Sequence, residues 1–236
     1  MQVTEIWRYP VKSMGGERLT SAMVGSLGVE GDRGWGVFDV ETGNVLTARR
    51  SPGLLMMSAR VVDGDAIVTL PDGTDIESSK ADTPLSIVLD RPVELRSAGD
   101  EGGTYENPMD VENDADWVSW TGPAGAWHDS GRSRVSLVST ASLGDWDIRR
   151  FRTNIVLDGS GEDDFVGDAV AIGDDLVLDV TKRIDRCVMI TRPQPGLDRD
   201  IELLKQINRE RESCLSIGAL IATPGTIEIG SQITVR

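Results

Sequence analysis

The sequence is poor in histidine and cysteine, and this excludes several kinds of site. With one histidine, His128, a single chain cannot build a zinc site on two or more histidines. A Ser-His-Asp triad or a Cys-His dyad would have to use this same residue. It lies in the polar stretch "AWHDSGRS", and we interpret it as an ordinary surface or turn residue. Two cysteines, Cys187 and Cys214, make a disulfide framework improbable and favour a reducing, cytoplasmic setting.

Positive charge and long apolar runs are also scarce. The chain has 24 Lys and Arg against 39 Asp and Glu, a formal charge of −15. Such a field repels nucleic acid and anionic membrane surfaces, so we expect no nucleic-acid partner. No run approaches the roughly 18 apolar residues of a membrane span. The first residues, "MQVTEIWRYPVKS", lack the basic and apolar regions of a signal peptide, and we expect no membrane insertion.

Short apolar runs separated by glycine-rich turns dominate the pattern and predict a mainly β, barrel-like fold with few helices. One confident helix is predicted in "LDRDIELLKQINRERE", with Asp198 or Asp200 as its N-cap. We predict two β-rich units, residues 1–100 and 110–236. The acidic segment Gly99–Trp117 is either a flexible connection between them or a solvated loop inside one continuous fold.

Two glycine-rich turns carry groups that can bind an anion. In "YPVKSMGGE", Lys12 and Ser13 follow a predicted strand and precede two glycines. This arrangement can present an ammonium, a hydroxyl and backbone N–H groups to a phosphate. The alternative is a turn with a solvated lysine. A second turn, "GVEGDRGW", supplies Arg33.

The stretch "RRFRTNIVLDG" is predicted to be a strand flanked by arginines. A period of two places Arg150, Arg152 and Asn154 on one face of that strand. This face could be exposed to solvent, or it could grip an anion through the planar guanidinium groups. The pattern alone does not separate these interpretations.

Positive charge also collects around one thiol, in "TKRIDRCVMIT", where the last part is predicted to be a strand. Lys182, Arg183 and Arg186 precede Cys187, and nearby cations favour the thiolate, which attacks electrophiles or binds soft metals. The alternative is that Cys187 is a small core residue at a strand start. Cys214 lies 27 positions later, too far for a Cys-x-x-Cys pair, and is interpreted as structural.

The motifs occur in a recognisable order: "YPVKS", "GDRGW", "STASLGDW", "RRFRTNIVLDG", "DRCVMIT" and "TPGTIEIGSQITV". This ordered set resembles the MOSC family, the molybdenum cofactor sulfurase C-terminal domain, preceded by its N-terminal β-barrel segment. It is similar to the mitochondrial amidoxime-reducing component and its bacterial counterparts. The resemblance implies a β-barrel MOSC domain in residues 110–236 and an N-terminal β-rich segment in residues 1–100.

The resemblance implies a molybdopterin-type molybdenum cofactor, with Cys187 as the metal ligand and catalytic residue. The residues that it implies for cofactor binding are Lys12, Ser13, Arg33, Ser142, Arg152, Asn154 and Arg186. Pyridoxal phosphate binding is a further association of the family. The chain departs from the pattern in two places, with Met14 where many relatives carry cysteine and Thr153 where proline is usual.

By the same resemblance, we expect an oxidoreductase that reduces N-hydroxylated or N-oxide compounds, which are small-molecule substrates. The sequence has no iron–sulfur cysteine set and no dinucleotide-binding glycine fingerprint, so electrons would come from separate donor proteins. Two other functions fit the same residues: a non-redox carrier of the cofactor, or a sulfur carrier that uses a Cys187 persulfide.

Overall fold

The computed structural model describes residues 1–100, 102–108 and 117–236, and the described chain is mainly β with three short α-helices. The strands are β1 (Val3–Arg8), β2 (Glu17–Leu19), β3 (Ser21–Gly25), β4 (Gly28–Val29), β5 (Trp35–Asp39), β6 (Ser58–Val62), β7 (Asp65–Thr69), β8 (Asp75–Glu77), β9 (Val93–Ser97), β10 (Thr104–Pro108), β11 (Trp117–Thr121), β12 (Val135–Ser139), β13 (Ile155–Leu157), β14 (Ala169–Ile172), β15 (Leu176–Asp185), β16 (Cys214–Thr223), β17 (Gly225–Glu228) and β18 (Ile233–Val235). The α-helices are α1 (Asp82–Leu89), α2 (Thr140–Leu143) and α3 (Ile201–Arg211). Five 3₁₀ helices cover Pro52–Met56, Ser78–Lys80, Ile148–Arg150, Glu162–Phe165 and Val188–Thr191. The predicted fold class is confirmed.

An eight-stranded sheet forms the larger layer, in the order β18-β14-β15-β16-β12-β13-β1-β2. The first strand of the chain is an interior strand of this sheet, because Ile6 pairs with Ile155 of β13 on one side and with Leu19 of β2 on the other. All three residues of β13 are buried, which is typical of a strand covered on both faces. Aliphatic side chains from β1, β12–β16 and β17 form one core. Among the described residues the sheets do not close into a complete barrel.

A second core lies in the N-terminal half, between the sheet β6-β7-β8, the pair β5-β9 and helix α1. Leu54, Met57, Val68 and Leu85 are among its buried side chains. Met189, from the far end of the sequence, packs against this core. The last part of the chain is therefore fixed against the first part at this point.

The segment between the predicted units is described only in part. Residues 101 and 109–116, on which much of the predicted connection falls, lie outside the described residues. Its described ends are β10 and β11, which pair antiparallel. Because β1 and β2 share a sheet with C-terminal strands, hydrogen bonding does not separate residues 1–100 from 110–236, and that division stays a prediction. No described helix has the length and hydrophobicity needed to cross a membrane.

Two predicted strands are wrong, and both errors concern residues of interest. Ile148–Arg150 is a 3₁₀ helix, and Arg152 takes a left-handed φ of 54°, so the strand begins only at Ile155. An extended period of two cannot run through a left-handed residue, and Arg150, Arg152 and Asn154 do not share a strand face. The stretch after Cys187 is a 3₁₀ helix, Val188–Thr191, closed by the Thr191 hydroxyl, which donates to the Val188 carbonyl (2.8 Å).

Candidate functional site

A cavity of about 230 Å³ opens between the loop after β1 and the loops around β12, β13 and the end of β15. Its wall is strongly basic although the chain as a whole is acidic. The basic residues described in this wall are Lys12, Arg33, Arg49, Arg134, Arg150, Arg152, Lys182 and Arg186. The acidic residues described there are Asp129 and Asp185. The fold therefore concentrates positive charge in one concave place.

Seven of the eight sequence-predicted site residues line this cavity: Lys12, Ser13, Arg33, Arg152, Asn154, Arg186 and Cys187. Ser142 is the exception among them. It lies in α2, where its backbone N–H donates to the Ser139 hydroxyl (3.1 Å) and its side chain bonds the buried carboxyl of Glu162. The structure thus places Ser142 in a helix cap beside the sheet, away from the cavity wall.

Lys12 is buried at the floor of the cavity, with 3% of its surface exposed. Its ammonium donates to the Trp127 carbonyl (3.1 Å) and to Asp129 Oδ1 (2.6 Å), and it lies 4.3 Å from the centre of the Tyr105 ring. Burial lowers the pKa of Lys12, and the Asp129 carboxylate opposes that shift. The ammonium therefore has two hydrogen-bond acceptors and one aromatic ring around it.

Three of the site residues hold strained backbone conformations. Ser13, Arg33 and Arg152 have φ values of 69°, 53° and 54°, in the left-handed region that disfavours residues with a Cβ. Such strain costs of order 1–3 kcal/mol per residue and persists where the surrounding structure enforces it. Here it turns the side chains of three separate loops towards one cavity. The Ser13 hydroxyl accepts from the Ala48 N–H (3.0 Å), and its own hydrogen can donate elsewhere.

Arg33 and Arg152 lie against one buried aromatic ring, that of Tyr9. Their guanidinium carbons are 5.7 and 4.7 Å from the ring centre. Arg33 is also paired with Asp32, whose other oxygen accepts from the Tyr9 N–H (2.7 Å). Burial, and secondarily the charge of Arg33, lower the pKa of Arg152 to about 10. Nη1 of Arg152 is buried without a hydrogen-bond partner among the described residues. Its N–H is therefore available to donate a hydrogen bond to a bound anion.

Arg186 fixes the backbone next to Cys187 through hydrogen bonds to neighbouring segments. Its guanidinium donates to the carbonyls of Leu215 (2.8 Å) and Phe151 (2.9 Å) and to the hydroxyl of Ser216 (2.6 Å). A weaker contact reaches the Thr153 hydroxyl (3.4 Å), which itself bonds Ser216 (2.9 Å). Thr153, which stands where proline is usual in the family resemblance, therefore extends this network. Burial lowers the pKa of Arg186 to about 10.

Asn154 has a similar positioning role. Its Oδ1 accepts from the N–H (3.2 Å) and the hydroxyl (3.0 Å) of Ser136, and its Nδ2 donates to the Trp7 carbonyl (3.3 Å). These bonds join the edges of β1, β12 and β13 beneath the cavity. Met14, the other departure from the family pattern, is a buried member of the N-terminal core.

Cys187 lies half-buried in the cavity wall, immediately before the 3₁₀ helix Val188–Thr191. Lys182 and Arg186 line the same cavity. The expectation that Arg183 belongs to this group is wrong, because successive residues of a strand point to opposite faces. Arg183 instead pairs with Asp163 and Glu212. Cys214 is the other free cysteine, half-buried and outside the cavity wall as described.

The sequence prediction for His128 is wrong, and it missed two cavity neighbours of that residue, Asp129 and Arg134. His128 is 5% exposed, and its Nε2 donates to the Leu27 carbonyl (2.9 Å) as the tautomer that this contact assigns. Burial, with Arg33 as a secondary cause, lowers the pKa of His128 to about 4, so the ring is neutral at pH 7. Arg134 has a buried Nη1 without a partner among the described residues. The one sequence signal for the burial of His128 was the apolar pair Ala126–Trp127 immediately before it.

These donors fit a guest that is anionic and carries a soft metal. Two buried guanidinium nitrogens in the wall, on Arg134 and Arg152, lack partners in the described structure. Arginine forks suit phosphate oxygens, and a thiol such as Cys187 suits a soft or borderline metal. A neutral guest would leave the buried positive charges uncompensated.

Comparison with known proteins agrees with the order of motifs in the sequence. A family model described as the MOSC N-terminal beta barrel domain matches residues 1–118, and one described as the MOSC domain matches residues 126–234. The solved structure of the YUAD protein from Bacillus subtilis has a TM-score of 0.51 at 10% identity and covers 98% of this chain and 93% of its own. YiiM from Geobacillus stearothermophilus has a TM-score of 0.38 at 17% identity, covering 58% of this chain and 73% of its own. The likeness to YUAD concerns the fold alone, and among curated proteins none matches this sequence.

Proposed function

Because this chain belongs to the MOSC family, which is associated with molybdenum cofactor binding, we propose that its basic cavity holds that cofactor. In this proposal Cys187 is the molybdenum ligand, and the loaded protein reduces N-hydroxylated or N-oxide compounds. Electrons come from separate donor proteins in a reducing, cytoplasmic setting. The observation that carries the proposal is the meeting of eight basic residues and one free thiol in a single cavity of a chain with charge −15.

The residues of the cavity divide into two roles. Arg152 and Arg134 have buried N–H groups without partners in the described structure and are proposed to bind the anionic part of the cofactor. The Ser13 hydroxyl can donate to the same part. Arg186 and Asn154 form hydrogen bonds with other protein groups, and they are proposed to hold the cavity wall in place. When bound, the cofactor would supply redox chemistry suited to oxygen-atom transfer, and the residues of this wall would bind and orient it.

His128 and Cys187 set the polarity of the proposed site. A neutral imidazole whose Nε2 is engaged with Leu27 has only Nδ1 left, as a hydrogen-bond acceptor, and it adds no positive charge at pH 7. Cys187 lies in the same basic wall, where its sulfur can serve as a ligand for a soft metal. Pyridoxal phosphate binding, the other association of the family, stays a prediction.

Metal and cofactor content test the proposal directly, with Cys214→Ala as a matched control for Cys187→Ala. Both cysteines are free and half-buried, but only Cys187 is described in the cavity wall. Protein from a host that makes the cofactor is expected to carry molybdenum and a releasable pterin. Cys187→Ala should fold and lose bound molybdenum, whereas Cys214→Ala should keep it. Wild-type protein without molybdenum would refute the proposal.

Turnover separates the enzyme from the two carriers. Loaded protein is expected to reduce hydroxylamines or amidoximes with an artificial reductant. Loaded protein without turnover would instead support a carrier of the cofactor. Metal-free protein in which mass spectrometry finds a persulfide on Cys187 would support a sulfur carrier.

A further inference from the structure

The carboxylate of Asp129 occupies the place at Lys12 where an anionic guest would bind. Oδ1 of Asp129 lies 2.6 Å from the Lys12 ammonium. The two partners differ greatly in exposure, since the Lys12 side chain is 3% exposed and the Asp129 side chain is 71% exposed. The cation is therefore fixed in the floor of the cavity, and its counter-ion reaches in from the mouth.

Asp129 has fewer hydrogen-bond partners than Asp32, although the charges of Lys12, Arg33 and Arg49 outweigh burial and hold the pKa of its carboxyl below the usual range. Asp32 is fully buried, accepts from the Tyr9 N–H (2.7 Å) and pairs with Arg33. Within the described chain, Lys12 alone donates a hydrogen bond to Asp129. The Asp129 carboxylate is open to water and can be rehydrated when it leaves, whereas the buried Lys12 ammonium then needs another anion in its place.

The backbone that carries Asp129 is anchored on its N-terminal side. The Trp127 N–H donates to the Arg33 carbonyl (2.8 Å), and the His128 ring is fixed to Leu27. Trp127 and His128 are both buried. Rotation of the Asp129 side chain alone can thus free Lys12 while the loop keeps its place.

We propose that Asp129 is a displaceable internal counter-ion, and that an oxyanion of the phosphate class replaces it on Lys12 when the cavity fills. The inference rests on the proposed anionic guest and adds a residue that competes with that guest for Lys12. Any anion that reaches Lys12 must first displace this carboxylate. A phosphate dianion brings more charge to the ammonium than the carboxylate that it displaces, which favours the exchange.

Titration calorimetry of the full chain with inorganic phosphate and with acetate tests this, using protein from a host that lacks the cofactor. Asp129→Asn removes the charge but keeps an oxygen that can accept from Lys12, and Asp129→Ser serves as a second charge-free variant. Asp185→Asn is the matched control, because Asp185 lines the same cavity, is 78% exposed and pairs with Lys182 (3.3 Å). All three substitutions remove one negative charge from one cavity mouth.

The expected result is that Asp129→Asn binds phosphate about five- to tenfold more tightly than wild type, in line with the strength of a partly exposed ion pair. Acetate affinity should rise by a smaller factor, because the displaced Asp129 charge repels a monoanion less strongly than a dianion. Asp185→Asn should stay within about twofold of wild type. The inference would be overturned if Asp129→Asn and Asp185→Asn gained phosphate affinity by the same factor. It would also be overturned if Asp129→Asn bound phosphate no more tightly than wild type, or not at all. Molybdenum content is measured separately, so either proposal can fail while the other stands.

Discussion

Acidification is expected to weaken the fold through the single histidine of the chain. Burial lowers the pKa of His128 from 6.5 to about 4 in the folded protein. The unfolded chain therefore takes up a proton as the pH falls below about 6.5, whereas the folded chain stays neutral at this residue until about pH 4. Stability from this residue is complete above pH 6.5 and is lost as the pH falls towards 4.

The size of the effect follows from this difference in pKa. Each unit of separation corresponds to about 1.4 kcal/mol, and the loss accumulates only within the window between the two pKa values. Between about pH 7.5 and about pH 5, His128 should cost about 2 kcal/mol of unfolding free energy. Carboxyl groups also begin to titrate near pH 5, so the wild-type protein alone does not isolate the histidine.

A variant without an ionisable ring isolates it. In His128→Gln, the amide can still donate to the Leu27 carbonyl, but no proton is taken up near pH 6. Urea unfolding of cofactor-free protein at several pH values should show that wild type loses about 2 kcal/mol more than the variant on acidification. Because the chain has one histidine, NMR titration of its imidazole reads the folded pKa directly. A folded pKa near 6.5, or identical acid sensitivity of the two proteins, would refute the reasoning.

Three further substitutions test the packing around the site by urea unfolding. Gly16→Ala should cost about 1–3 kcal/mol, because its Cβ would overlap the carbonyl that ends β1. Gly25→Ala, where nothing lies within 4 Å, should stay within about 1 kcal/mol of wild type, and equal costs would contradict this. Arg186→Lys should cost about 2–4 kcal/mol, since lysine cannot satisfy its separate buried acceptors. Arg183→Lys, which lies on the other face in partly exposed ion pairs, should cost less than about 1 kcal/mol. Ile207→Ala should cost about 2–4 kcal/mol of unfolding free energy, because this buried residue packs α3 against its hydrophobic cluster. A loss below about 1 kcal/mol would argue against that packing.

Local signals located much of the secondary structure. Asp200 caps α3 by accepting from the N–H groups of Glu202 and Leu203, as one of the two predicted caps. In α2 the corresponding position is Ser139, whose hydroxyl accepts from the Ser142 N–H (3.1 Å). These signals succeed because the donor and the acceptor lie within a few residues of each other, so the pattern contains both partners.

The failures have non-local causes. The burial of His128 depends on the Leu27 carbonyl, 101 positions away, and nothing in "AWHDSGRS" indicates that contact. The Arg186 network depends on Leu215, which lies 29 positions later. Arg152 breaks the predicted strand because the fold, including its contact with Tyr9, enforces a left-handed backbone that its residue type disfavours.

The order of motifs named seven residues that the structure brings into one cavity wall, but it did not show how their contacts differ. Motif order named Arg152 and Asn154 together, and both lie in the cavity wall. Only coordinates distinguish them, since Arg152 keeps a buried nitrogen without a partner in the described chain and Asn154 bonds Ser136 and Trp7. Asp129 was not named at all, because an acidic residue in a polar stretch carries no signal of the cation that it meets.

The interior position of β1 in the large sheet also determines when this protein can fold during synthesis. Ile6 leaves the ribosome early, but its neighbour Ile155 is made only after almost 150 further residues. Contacts so distant in sequence make folding slow, and until β13 is made the nascent strand can pair only with β2. Lys12 and Ser13 follow directly after β1, so the cavity floor assembles only when β13 arrives. A guest of the complete cavity therefore enters only after most of the polypeptide has been translated.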